Sequence, residues 1–113
     1  MAMDPKLIAG TLEMMVLDIV SRGPSYGYQI TQTALASSDG YFELKEGSLY
    51  PALHRLERQK LLASYWDASD EGRRRKYYKI TPAGRKTLTR KKRDWFDFSK
   101  AVTNVMGANF GLA

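Results

Sequence analysis

Cysteine is absent from the 113 residues, which excludes disulfide scaffolds, thiolate metal sites and a cysteine nucleophile. A single histidine, His54, leaves no room for a multi-histidine metal centre. No apolar run approaches the roughly 18 residues that span a bilayer. The N-terminal stretch does not read as a signal peptide, because Asp4, Glu13 and Asp18 interrupt it. Acidic residues are also scarce where basic ones crowd. Between Arg73 and Arg93 lie 11 of the 18 lysines and arginines and no carboxylate. Elsewhere, 7 basic residues face all 12 acidic ones, so the net charge of +6 is concentrated in one segment. With 43% hydrophobic and 27% charged residues, the composition is that of an ordinary folded domain. These features predict a small, basic, soluble domain of the cytoplasm with no cofactor, no metal and no membrane role. The concentrated positive charge is the electrostatic footprint of a nucleic-acid binder. A solvated helix surface is the plainer alternative.

Periodicity divides the chain. Ile8, Leu12, Met15, Val16, Ile19 and Val20 recur at helical spacing over Leu7 to Ser21, and Gly23-Pro24 ends that helix. Ser25 is placed to cap a second helix whose inner side would carry Tyr28, Ile30, Ala34 and Leu35. After the turn residues Ser37 to Gly40, an extended piece over Tyr41 to Lys45 leads to a third helix running to about Lys60. Leu49, Leu53 and Leu56 form its apolar stripe. Pro51 is tolerable only in a first turn, so Ser48 is the expected N-cap.

The period then shortens. Leu62 to Trp66 and Lys76 to Ile80 read as strands joined by a long polar tip over Asp67 to Arg75. Thr81 and Pro82 open a last helix reaching about Met106. Its apolar side, Leu88, Trp95 and Val102 with Phe98 and Val105 between, resembles a coiled-coil seam interrupted by Lys91. The predicted fold is mainly α with a small β hairpin: a winged helix-turn-helix over residues 1–80, then a long C-terminal dimerisation helix and tail over 81–113. The third helix suits a major groove, and the hairpin would carry Arg73, Arg74, Arg75 and Lys76 to phosphates or a minor groove.

Four stretches carry a family resemblance. Gly-Thr-Leu-Glu (10–13), Ser-Tyr-Gly-Tyr-Gln-Ile (25–30), Glu-Gly-Ser-Leu-Tyr-Pro-Ala-Leu-His-Arg-Leu-Glu (46–57) and Gly-Arg-Arg-Arg-Lys-Tyr-Tyr-Lys-Ile-Thr-Pro-Ala-Gly (72–84) resemble the PadR family of bacterial transcriptional regulators. The length and single last helix are similar to the family's short subgroup, which includes the lactococcal multidrug-binding regulator. The resemblance implies a homodimeric repressor that reads a pseudo-palindromic operator in double-stranded DNA. It places the family's recognition-helix motif on Ser48, Leu49, Tyr50 and Pro51, its Tyr-Gly tyrosine on Tyr26, and its basic wing on Arg73 to Lys76. The family's dimer-helix aromatic falls on Trp95. Gln59-Lys60-Leu61 departs from the pattern, since many relatives end the third helix with glycine.

On the third helix, Pro51, His54, Arg55 and Arg58 share the outer side, and Arg55 and Arg58 are candidate phosphate clamps. Glu57 is expected in a structural ion pair, and Trp66 in the core or supporting the wing. Trp95, with Phe96, Phe98, Met14 and Met15, is expected at a dimer interface that either stays closed or holds a planar aromatic or amphipathic effector. Enzyme chemistry finds no support. The one histidine has no nucleophile motif around it, no phosphate loop occurs, and Asp94 and Asp97 are helix-surface neighbours. A DNA-binding module without effector, or a protein-interaction domain, stays open beside the regulator.

Overall fold

Leu12, Val16, Leu17, Ile19 and Val20 are the buried face of the first helix, α1 (Leu12–Ser21), and everything else packs around them. A computed structural model describes residues 11–68 and 72–107. The expected first turn of this helix, with Ile8, lies outside those residues. After α1 come strand β1 (Ser25–Tyr26), α2 (Gly27–Ser37), α3 (Glu46–Arg58), β2 (Leu62–Ala68), β3 (Arg74–Ile80) and α4 (Pro82–Met106). The strands form one antiparallel sheet in the order β1-β3-β2. Three helices, a hairpin and a long closing helix make a winged helix-turn-helix, as the element order predicts. No helix among the described residues is long and apolar enough to cross a membrane.

The core is aliphatic with one aromatic. Ile30 and Ala34 of α2, Leu49, Ala52, Leu53 and Leu56 of α3, Leu62 and Tyr78 of the sheet, and Leu88 of α4 close on α1. The stripe Leu49–Leu53–Leu56 is buried as predicted. Tyr77 and Tyr78 point to opposite faces, and Tyr78 is the buried one. Tyr28 departs from expectation. It is 65% exposed and faces away from Ile30 and Ala34.

Several boundaries differ from the sequence reading, each for a local reason. Ser25 does not cap α2: it pairs with Tyr78 in β1, a two-residue strand too short to announce itself in sequence. Tyr26 is the cap residue, and its N–H donates to Gln29 Oε1 at 3.2 Å. Ser48 does not cap α3: the cap is Lys45, three residues earlier, and the helix begins at Glu46. Pro51 therefore lies inside the helix, where it has no N–H to offer the Gly47 carbonyl. The strands extend to Ala68 and back to Arg74, so only Arg73 of the four cations belongs to the tip.

The end of α3 is closed without glycine. Lys60 adopts φ +60°, while its N–H donates to the Glu57 carbonyl at 2.9 Å and that of Leu61 to the Leu56 carbonyl at 2.9 Å. This is a Schellman closure carried by a lysine. The chain then turns directly into β2. Thr81 ties the start of α4 to the same corner, its hydroxyl donating to the Lys60 carbonyl at 2.7 Å and accepting from Gly84 N–H at 2.9 Å. Gly84 presses against the Leu61 backbone so closely that a β-carbon there would collide with the Leu61 carbonyl oxygen.

Candidate nucleic-acid interface

The antiparallel register sorts the wing's side chains onto two faces. Trp66 stands opposite Lys76 and Ala68 opposite Arg74, on the face that continues the buried Leu62 and Tyr78. Tyr65 stands opposite Tyr77 and Asp67 opposite Arg75 on the other. That outer face is an aromatic row: the Tyr65 and Tyr77 rings stack at 5.6 Å, and Tyr26 meets Tyr77 edge-on at 5.4 Å. Arg75 lies over the Tyr26 ring at 4.3 Å, and the Lys79 ammonium stands 5.9 Å from that of Tyr65. On the inner face Arg74 covers Trp66 at 5.6 Å. Trp66 is 58% exposed, so it buttresses the wing and is not core. Such stacking orients the guanidinium groups.

Lys76 is used differently. Its ammonium is 3.6 Å from the Glu57 carboxylate and 5.4 Å from the Tyr78 ring. Glu57 also accepts from the Ser64 hydroxyl. The expected ion pair of Glu57 is therefore made to the wing, joining α3 to β2 and β3, and it takes up part of the charge expected to meet phosphates. Burial, the first influence on the Tyr78 phenol, pushes its pKa up despite the nearby Lys76.

Between α2, α3 and the wing lies a cleft of about 500 Å³, lined by Tyr26, Gly27, Tyr28, Tyr50, His54, Trp66, Arg73, Arg75, Lys76 and Tyr78. Sequence reasoning named Tyr26, Tyr50, His54, Arg73, Arg75 and Lys76 for this role, and the fold brings those six to one concavity. It missed Tyr28 and Trp66, because an exposed aromatic looks like a core residue when only its type is read. Ser48 and Pro51 are exposed on α3 but do not line the cleft. Arg58 is exposed on the last turn of α3. Arg55 is not a free clamp: its Nε donates to Glu13 of α1 at 2.8 Å.

A second concavity lies on another side of the molecule. Met14, Met15, Ile19, Ala34, Phe42 and Trp95 wall a groove of about 450 Å³ between α1, the end of α2 and α4. Asp18 sits at its rim between Lys92 and Arg22. Burial alone would raise the Asp18 pKa, but the bonds and charges of Lys92 and Arg22 prevail and hold it below the ordinary value. Met14, Met15 and Trp95 line one groove within the chain itself, whereas Phe96 and Phe98 stay outside it and are exposed, with Phe98 tilted 6.3 Å from Trp95. Leu88, the first residue of the expected seam, is buried in the chain's own core. The seam left open holds Trp95, Phe98, Val102 and Val105, all exposed.

The sequence profile of the transcriptional regulator PadR-like family matches residues 16–90, from the core of α1 to the basic start of α4. The chain belongs to the PadR family. Proteins of this family are DNA-binding transcriptional regulators and not enzymes. Transcriptional regulator Rv3488 of Mycobacterium tuberculosis is 42% identical over 77 residues, 68% of either chain. A solved transcriptional regulator from Clostridium thermocellum superposes with a TM-score of 0.81 at 32% identity, covering 88% of this chain and 96% of its own. A PadR-like regulator from Bacillus cereus gives 0.78 at 34% identity over 89% and 96%. The PadR profile includes the cleft and both strands of the wing, and it ends before Trp95.

Proposed function

We propose that this PadR-family chain is a homodimeric repressor that reads pseudo-palindromic duplex DNA and is released by a planar aromatic or amphipathic effector. The observation that carries the DNA reading is the cleft in which Tyr26, Tyr50 and His54 converge with Arg73, Arg75 and Lys76. Phosphate contacts from the wing supply affinity, and the exposed side of α3 supplies sequence choice. Ser48, Pro51, His54 and Arg58 present that side, flanked by Arg74 on the wing.

The dimer reading rests on α4. Trp95, Phe96, Phe98, Val102 and Val105 leave exposed apolar surface along the helix among the described residues. A second copy covers such a seam symmetrically. In this division residues 1–80 bind DNA and 81–113 dimerise. The effector reading rests on the Met14–Met15–Trp95 groove, whose volume suits a small planar molecule.

The wing tests the function. In Arg73→Ala/Arg74→Ala, affinity falls for selected and random duplexes alike, and the slope of log affinity against log salt flattens by about 1 per lost phosphate contact. Unchanged affinity and slope would refute docking through the wing.

A further inference from the structure

Gly27 is the first residue of α2, and its backbone has ordinary helical geometry. Conformational freedom therefore does not explain a glycine there, and alanine is the better helix former. Space does. A β-carbon at Gly27 would collide with the Tyr50 hydroxyl and lie 2.9 Å from Cζ and 3.2 Å from Cε1 of the same ring. The tyrosine reaches across from the second turn of α3 and ends on the bare α-carbon of α2.

Both sides of this contact are held. Gly27 follows Tyr26, which is fixed to β3 by pairing with Tyr77 and to its own helix by the bond to Gln29. Tyr50 precedes Pro51, and a residue before proline is pushed away from helical geometry. Tyr50 is nevertheless helical. A pre-proline residue kept helical needs surroundings that hold it, and the seat on Gly27 is one. The ring's resting point is one residue from the sheet, so it references α3 to the strand that carries Arg74 and Arg75.

Resting on the DNA reading above, we infer that Gly27 and Tyr50 form a joint that sets the angle between the reading helix and the wing. Tyr50 is then a positioning residue for sequence discrimination and not itself a reader of base edges. A misaligned α3 loses sequence choice, while the wing still finds phosphates.

The test is size compensation on the full chain. The probes are a duplex selected from a random-sequence library by the native protein and a random-sequence duplex, at one salt concentration. The ratio of the two affinities measures discrimination. Gly27→Ala should lower that ratio at least tenfold, weakening the selected duplex far more than the random one, a pattern that general loss of folding does not give. Tyr50→Leu should lower it three- to tenfold. The double variant Gly27→Ala/Tyr50→Leu should discriminate about as well as Tyr50→Leu alone, because the added methyl enters the space the ring vacated. Should Gly27→Ala melt below the assay temperature, recovery of both folding and discrimination in the double variant gives the same support. Losses that multiply in the double variant, or an unaffected Gly27→Ala, would overturn the joint. If the native protein selects no duplex, the DNA reading itself fails and the joint's role with it.

Discussion

Lys92 of α4 and Arg22, at the end of α1, hold the same carboxylate, that of Asp18, and so clasp the closing helix to the first. Asp18 lies at the rim of the Trp95 groove, so the clasp also fixes the spacing of the groove's walls. Because its folded pKa is lowered, the stability it contributes is present above the unfolded aspartate value and fades as pH falls through the folded one. Both partners are partly exposed, which limits the effect to about 1 kcal/mol. Urea unfolding of Asp18→Asn at pH 7 should show that loss. Well below both pKa values native and variant should coincide, and a difference that persists there would assign the loss to packing.

Lys60 is strained where glycine would be free. At φ +60° a residue with a β-carbon is disfavoured, and the two Schellman hydrogen bonds, with the Thr81 hydroxyl on the Lys60 carbonyl, keep it there. Lys60→Gly should raise stability by about 0.5–1 kcal/mol, seen as a melting temperature several degrees higher. An unchanged or lower value would mean that the lysine side chain contributes something the fold needs.

Gly84 should tolerate no side chain. Its neighbour is the Leu61 backbone, which cannot rotate aside as a side chain can, and Ile80 Cγ1 would stand 2.7 Å from the new carbon. Gly84→Ala should cost about 3 kcal/mol by overpacking. Thermal unfolding reads the cost directly, and a loss under about 1 kcal/mol would show that the α3–β2 corner relaxes.

Trp95 joins the two roles proposed for α4. Sedimentation at micromolar concentration should give a dimer for the native chain and a shift toward monomer for Trp95→Ala, a large-to-small aromatic change worth about 3–5 kcal/mol. Trp66 would obscure fluorescence, so the effector is sought in Trp66→Phe with planar dyes and phenolic acids. Quenching of Trp95 should be accompanied by about 1–3 kcal/mol weaker binding to the selected duplex. Quenching with unchanged affinity would leave Trp95 as an anchor only.

Much of the interface was legible because it depends on charge and periodicity. Arg73 to Lys76 between two alternating stretches announce a wing, and Leu49, Leu53 and Leu56 announce the helix beside it. What escaped was pairing between distant residues. Arg55 reads as a clamp until Glu13, 42 residues away, accepts its Nε hydrogen. Lys76 reads as a free cation until Glu57 lies 3.6 Å from it. Ser25 reads as a cap until Tyr78 arrives beside it. A side chain's type states which bonds it can make, and only the fold supplies the partner.

By itself the sequence determined the order of the helices and the hairpin, the aliphatic stripes, the cap at Thr81 and the place of the positive charge, because each follows from residues within a few positions of one another. The tertiary structure decided which cations point into the cleft, which are stacked on rings and which are already paired. It also decided that Leu88 is buried within the chain's own core while Trp95 stays 46% exposed, though both were read from one seam. The reason is geometric: α4 reaches beyond the body that α1 to α3 can cover. Position along that helix, not residue type, separates core from surface.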